Sequence, residues 1–388
     1  MRMTIVKAGL YTLCLLTSTC IEPYDPPVSG YENLLVVQGF ISDQVEPYTV
    51  QLSRTYPIDS GAVTPVTGAY VTVVDGEERE YLFAELGGGI YASDPAVFVG
   101  EVGQTYRLKV RTTKNEEIES LPVTLLVAPP IDSLYWRYEP RFTSTSSEPV
   151  PGIQVYLSTH DPTNQTRYYR WEWVETWEFT VPLYSSYEIV NGRIDGRQEN
   201  ISRCWRSQAS AEILSGTTIN LSEDRISQQP LRYVSTDNSR LGIQYSLEAR
   251  QFALSEAAYN FWASLFKINQ GLGTLFDPQP APVLGNLVNT GNPGTPVLGY
   301  FDASTITTGR IFIRRQELPE GVRVDRGYRN CFADTVLLED VFFQASQGFN
   351  LLGQVLDMSG FLYAYTMGSV PCSDCRLNGT NAKPDFWP

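Results

Sequence analysis

The chain has 388 residues, 42% of them hydrophobic, 12% aromatic and only 19% charged, with a formal net charge of −14. That length predicts two domains, and the aromatic-rich, charge-poor composition favours strands over long solvated helices. The acidic balance disfavours nucleic-acid binding. The single histidine, His160 in the turn-rich STHDPTN, reads as an exposed loop residue and argues against a His-based zinc site or a Ser/His or Cys/His hydrolase.

Residues 1–19 combine basic Arg2 and Lys7 with the short apolar run AGLYTLCLL and small polar residues, the pattern of a secretory signal peptide. The run is too short to cross a bilayer as a helix, and no later segment approaches the ~20 apolar residues a span needs. The following TSTCIEPYDPP resembles a bacterial lipobox. That implies Cys20 as the acylated first residue of the mature chain. Counting points the same way: Cys14 leaves with the leader, and the four later cysteines can pair without Cys20. Residues 20–31 then form a tether held extended by Pro23, Pro26 and Pro27. Glu22 and Asp25 resemble the acidic signals that send lipoproteins to the outer face of an outer membrane.

Residues 32–128 read as a β-sandwich of about seven short strands, immunoglobulin-like or transthyretin-like. NLLVVQGFI and YTVQLSRTYPI open it, GAYVTVVDGEEREYLFAEL is a hairpin turning at Asp75-Gly76, and a second hairpin turns at Lys114-Asn115. Pro129-Pro130 is a stiff linker to a larger β-rich domain, 129–388. Its clearest strand, RYYRWEWVETWEFTVPLY, places Tyr169, Trp171, Trp173, Trp177 and Phe179 on one face, with Glu175 the one charge among them. One main helix is predicted over about 255–270, capped by Ser255 and ended by Gly271, with a stripe of Ala258, Phe261, Trp262, Leu265 and Ile268 for packing on a sheet. The Gly/Pro-dense stretch Gly271–Asp302 reads as a long loop, and loops of that length are often functional.

Four candidate features follow. Cys204, Cys331, Cys372 and Cys375 read as two disulfides, with Cys204–Cys331 and Cys372–Cys375 preferred because CSDC can close a tight turn; a four-thiolate zinc site is the alternative. Trp171, Trp173 and Trp177 are either sandwich core or a sugar-stacking platform, and Glu175 among them is either a hydrogen-bonded buried acid or a proton donor. Phe276, Asp277, Tyr300 and Phe301 are the candidate contacts of the long loop, with the tail Cys372–Trp387 beside them. No P-loop, nucleophile elbow, dinucleotide fingerprint or metal-binding histidine motif occurs, so neither a cofactor nor a metal is expected.

Together CIEPYDP, LVVQGFISD, YRWEWVETWEF, LFDPQPAPVLGN, VLGYFDAS and CSDCRLNGTNAKPDFW resemble a Bacteroidetes lipoprotein family catalogued as domain of unknown function 4249. The resemblance implies a lipoprotein, typically encoded beside SusC-like TonB-dependent outer-membrane receptors, with no established catalytic residues. The lipobox and the acidic residues after Cys20 add the expectation of a lipid anchor in the outer membrane and exposure at the cell surface. The expectation is therefore a non-enzymatic accessory subunit that captures or gates a ligand for such a receptor. The alternatives are a stand-alone glycan-binding or adhesion protein and a hydrolase built on two carboxylates.

Overall fold

The computed structural model describes residues 33–56, 63–142, 148–271 and 282–388; the leader, Cys20, the tether and the candidates Phe276 and Asp277 lie outside the described residues. The chain is mainly β with one main helix, as the composition predicts. The first unit runs through β1 (Leu35–Ile41), β2 (Thr49–Arg54), β3 (Thr64–Pro65), β4 (Tyr70–Asp75), β5 (Glu80–Gly87), β6 (Ile90–Ala92), β7 (Thr105–Arg111), β8 (Glu117–Ser120) and β9 (Val123–Thr124). Both predicted hairpins form. The first turns through Asp75, whose carboxylate accepts the backbone N–H groups of Glu77 and Arg79, and the second through Asn115 at φ +58°.

The second part comprises β10 (Ile131–Tyr138), β11 (Gly152–His160), β12 (Tyr168–Thr180), β13 (Tyr187–Val190), β14 (Arg193–Gly196), β15 (Arg203–Ala209), β16 (Leu214–Thr217), β17 (Arg225–Ser235) and β18 (Gln244–Ala253). Then come α1 (Glu256–Gly271), β19 (Leu287–Asn289), β20 (Leu298–Ala303), β21 (Ile306–Arg314), β22 (Ala333–Leu337), α2 (Val341–Ser346), β23 (Phe349–Leu356), β24 (Leu362–Ser369) and α3 (Val370–Ser373).

The expected N-terminal sandwich differs in two respects. Its strands form one continuous path, β19-β8-β7-β4-β5-β6-β2-β1-β20, because β5 pairs with β4 on one side and β6 on the other. Both halves of the path bury their alternate residues in one core that includes Val37, Leu52, Val73 and Leu108. The path also takes both end strands from the stretch expected to be a loop. β20 lies parallel to β1, with Val37 opposite Gly299. Gly299 has φ +100°, and a Cβ there would meet the Val37 carbonyl oxygen at 1.9 Å, so only glycine admits this approach.

In the second part, the sheet β10-β11-β17 faces the sheet β15-β12-β18-β21 across a core of Ile153, Val155, Leu231, Trp171, Trp173 and Leu247. Helix α1 starts where Ser255 Oγ accepts the Ala258 N–H at 3.1 Å, the predicted cap. Its buried Ala258 and Phe261 pack with Tyr300 of β20 and Tyr168 of β12. A smaller sheet, β22-β24-β23, closes over α2 and the β13–β14 hairpin. The Pro129-Pro130 linker is fixed by its carbonyls: Pro129 accepts Gln251 Nε2 at 2.7 Å and Pro130 accepts Thr159 Oγ1 at 2.9 Å.

Candidate functional site

The aromatic face of β12 is filled from the opposite side. Trp171, Trp173 and Trp177 are 0%, 2% and 5% exposed, wedged between the two sheets. Trp171 stacks on Tyr169 at 5.7 Å and donates its indole N–H to Gln251 at 2.9 Å. These side chains are core, and burial removes the sugar-stacking platform. Glu175 is equally buried and fully engaged. It accepts the Tyr245 hydroxyl at 2.9 Å and pairs with Arg232 at 3.1 Å and Arg240 at 3.5 Å. Arg240 in turn lies 4.6 Å over the Trp177 ring. Three elements are pinned by this one carboxylate, which suits a structural role: two guanidinium groups and a hydroxyl meet the charge that burial would otherwise penalise. Burial pushes the Tyr245 phenol well above its ordinary range, and the neighbouring carboxylate adds to the effect.

The remaining candidates are corrected in the same way. Tyr300 and Phe301 belong to β20 and are 5% and 0% exposed, so neither is a loop contact. The tail is a clasp: Thr380 bridges to Trp205, and the buried Trp387 packs on Phe312 and donates to Glu178 at 3.3 Å. The cysteines form two disulfides, but the pairs are Cys204–Cys375 and Cys331–Cys372. The tight CSDC bridge fails because Cys372 sits in α3 while Asp374 caps a separate turn that begins at Cys375. All four thiols are consumed, which leaves none for zinc. His160 ends strand β11, and its Nδ1 lies 2.7 Å from the Asp132 carboxylate.

The most perturbed carboxylate is one the sequence did not single out. Asp302 of β20 is buried, which raises its pKa to about 7 against the opposing pulls of the Ala303 N–H and Arg170. Its Oδ2 has no hydrogen-bond partner among the described residues. The Arg170 guanidinium is itself stacked on Phe252 at 4.4 Å and Trp262 at 4.7 Å. This cluster lies where the first unit's β1–β20 edge meets β12, β18 and α1.

A cleft opens beside that seam. It measures about 790 Å³ and is lined by the linker Thr124–Pro130, the loop Asp161–Tyr168 and the turn from β18 into α1. Cavities of this size accommodate small-molecule ligands. One wall is apolar, with Val102, Leu126 and Val127, and the rim is polar, with Thr163, Gln165, Arg167 and Glu256. Its shape is preset by Asp161, whose carboxylate accepts the N–H groups of Thr163, Gln165 and Thr166 and the Thr163 hydroxyl. Burial opposes ionisation there, but these bonds outweigh it and lower the Asp161 pKa to about 2. The Thr166 hydroxyl then ties the loop to the linker at the Val127 carbonyl, 3.3 Å away. Each of these segments carried a local signal, the Pro-Pro linker, the HDPTN turn and the Ser255 cap, but none of the three says that they meet.

A family model described as Domain of unknown function (DUF4249) matches residues 21–310. No curated protein matches the chain.

Proposed function

The chain belongs to the family described as domain of unknown function (DUF4249), and on that premise we propose that it is a non-catalytic lipoprotein serving a TonB-dependent, SusC-like outer-membrane receptor as an accessory subunit that captures or gates a ligand. In this reading acylated Cys20 anchors the chain at the outer membrane, on the cell surface. The observation that carries the reading is the preformed cleft between the linker, the Asp161 loop and α1, sized for a small ligand and walled largely by apolar groups. A binding role also suits the acid that shapes the cleft and the buried acid of the β12 core. Asp161 is held ionised by four hydrogen bonds and is a poor proton donor at neutral pH, and Glu175 is committed to two arginines and a tyrosine. The glycan-platform alternative loses its three tryptophans to the core.

The test is affinity purification of the full-length protein from outer membranes in gentle detergent, with partners identified by mass spectrometry. A TonB-dependent receptor in near-equal amount is the expected result. Recovery of the protein without any such receptor would overturn the reading.

A further inference from the structure

The smaller sheet at the C-terminal side carries a surface that neither the cleft nor the family match explains, since it lies beyond residue 310. At one end of the sheet, β22 runs out at Leu337 opposite Ala364, and the β23–β24 hairpin turns through Asp357–Phe361. Asp357 fixes that tip by accepting the N–H groups of Ser359 and Phe361. Its side chains are apolar and project into solvent: Met358 is fully exposed, Phe361 is 72% exposed, and Leu356 and Tyr363 are about half exposed. Helix α2 begins at Val341, four residues past the end of β22, and Phe342 and Phe343 in its first turn are also exposed, while Val341 is buried in the core and Ala345 packs against it. Scattered exposed apolar side chains are ordinary, but this concentration on one sheet end is the mark of a contact surface.

The charge around it selects the occupant. From Cys331 to Cys375 no Lys or Arg occurs, while Asp334, Glu339, Asp340, Asp357 and Asp374 do. Of these, Glu339, Asp340 and Asp357 border this end and make no ion pair among the described residues, whereas Asp334 lies three pairs further along β22, opposite Met367, and Asp374 lies past the other end of β24, paired with Arg376. The β13–β14 hairpin packed on the sheet adds one exposed cation, Arg193. An anionic lipid surface would be repelled by such a rim, and interfacial membrane segments carry Lys and Arg instead. A second copy docked face to face would set carboxylates against carboxylates.

We propose that this sheet end, with Phe343, Met358 and Phe361 at its centre, docks a different protein that offers an apolar patch bordered by Lys or Arg. The acidic rim steers the encounter, and the aromatic and Met side chains supply the buried contact. The proposal goes beyond the receptor reading, because the chemistry fits any protein with that surface.

The experiment places a photoreactive benzoyl-phenylalanine at Phe343 or Phe361 in the full-length protein in its own cells. The control is Leu86, 70% exposed on the first unit. Thermal unfolding of each variant verifies folding. The expected result is one discrete protein adduct from positions 343 and 361, absent from position 86. Its cross-linked peptide should be apolar and flanked by basic residues. Glu339→Lys should lower the adduct yield about five-fold through loss of steering. An adduct with lipid, an adduct with a second copy, no adduct above the Leu86 control, or a yield indifferent to Glu339→Lys would each overturn the proposal. Adduct identity separates the two readings: a TonB-dependent receptor supports both, and another basic-flanked protein supports this one alone.

Discussion

Pairing Cys204 with Cys375 and Cys331 with Cys372 makes a sharp prediction for paired cysteine removal. The two bridges close loops of 171 and 41 residues, the shorter nested inside the longer. Chain entropy assigns ~5 kcal/mol to the longer loop and ~4 kcal/mol to the shorter. In a background with Cys14 and Cys20 replaced by serine, Cys204→Ala with Cys375→Ala removes one bridge and leaves the other intact. That variant should show no free thiol and a loss of about 5 kcal/mol in urea unfolding. Cys372→Ala with Cys375→Ala breaks both bridges and strands Cys204 and Cys331 as free thiols. The combined loss of about 9 kcal/mol rivals the whole stability of an ordinary domain, so this variant should be largely unfolded at growth temperature. The assays are thiol titration under denaturing conditions and equilibrium unfolding. The reverse pattern, with free thiols in the first variant and none in the second, would refute the pairing and restore a bridge within CSDC.

Other perturbations read out separate parts of the fold. Glu175→Leu leaves the Tyr245 hydroxyl and two half-buried guanidinium groups without their acceptor and should cost about 3 kcal/mol, whereas Tyr245→Phe should cost only about 1 kcal/mol; urea unfolding of both and of the double variant gives the coupling. Asp302 keeps its proton to about pH 7 in the folded chain but releases it near pH 4 when unfolded, so stability is full below about 4 and falls as pH rises to about 7. Asp302→Asn should flatten stability across that window. Asp161 has the opposite sign: its contribution is full above about 4 and disappears as pH falls through about 2. Asp161→Asn should therefore cost about 1–2 kcal/mol at neutral pH, a figure reduced for solvent screening, and remove that acid-side dependence. Cys20→Ala should abolish fatty-acid labelling and release the protein from the membrane fraction; retained labelling would place the anchor elsewhere.

Much of the local structure was legible because period and punctuation act locally. The alternation along β12 sorted Trp171, Trp173, Glu175 and Trp177 onto one face, and Ser255 marked the start of α1. What alternation cannot reveal is whether such a face is open or covered. Here the cover is β11 and β17, strands whose own patterns say nothing about what they pack against. The stretch Gly271–Asp302 is largely loop among its described residues, as expected, but the two strands within it were missed for a related reason. Glycine and proline density signals a loop, but Gly299 is the glycine of a strand pressed against another backbone, and the pressing strand lies at the far end of the sequence. The cleft was illegible because three distant segments form it, and the disulfides because spacing alone leaves three pairings open.

The seating of β20 beside β1 also dictates an order of events when the chain folds. The strand nearest the N-terminus waits for a neighbour that leaves the ribosome after most of the chain. Such a long-range parallel pairing forms late and slowly. Until Leu298–Ala303 arrive, β1 offers a row of unpaired backbone groups on the side that β20 will take. A chain interrupted anywhere between its first sheet and residue 298 would therefore be left with an adhesive margin, and fragments ending there should self-associate rather than persist as a small free-standing domain.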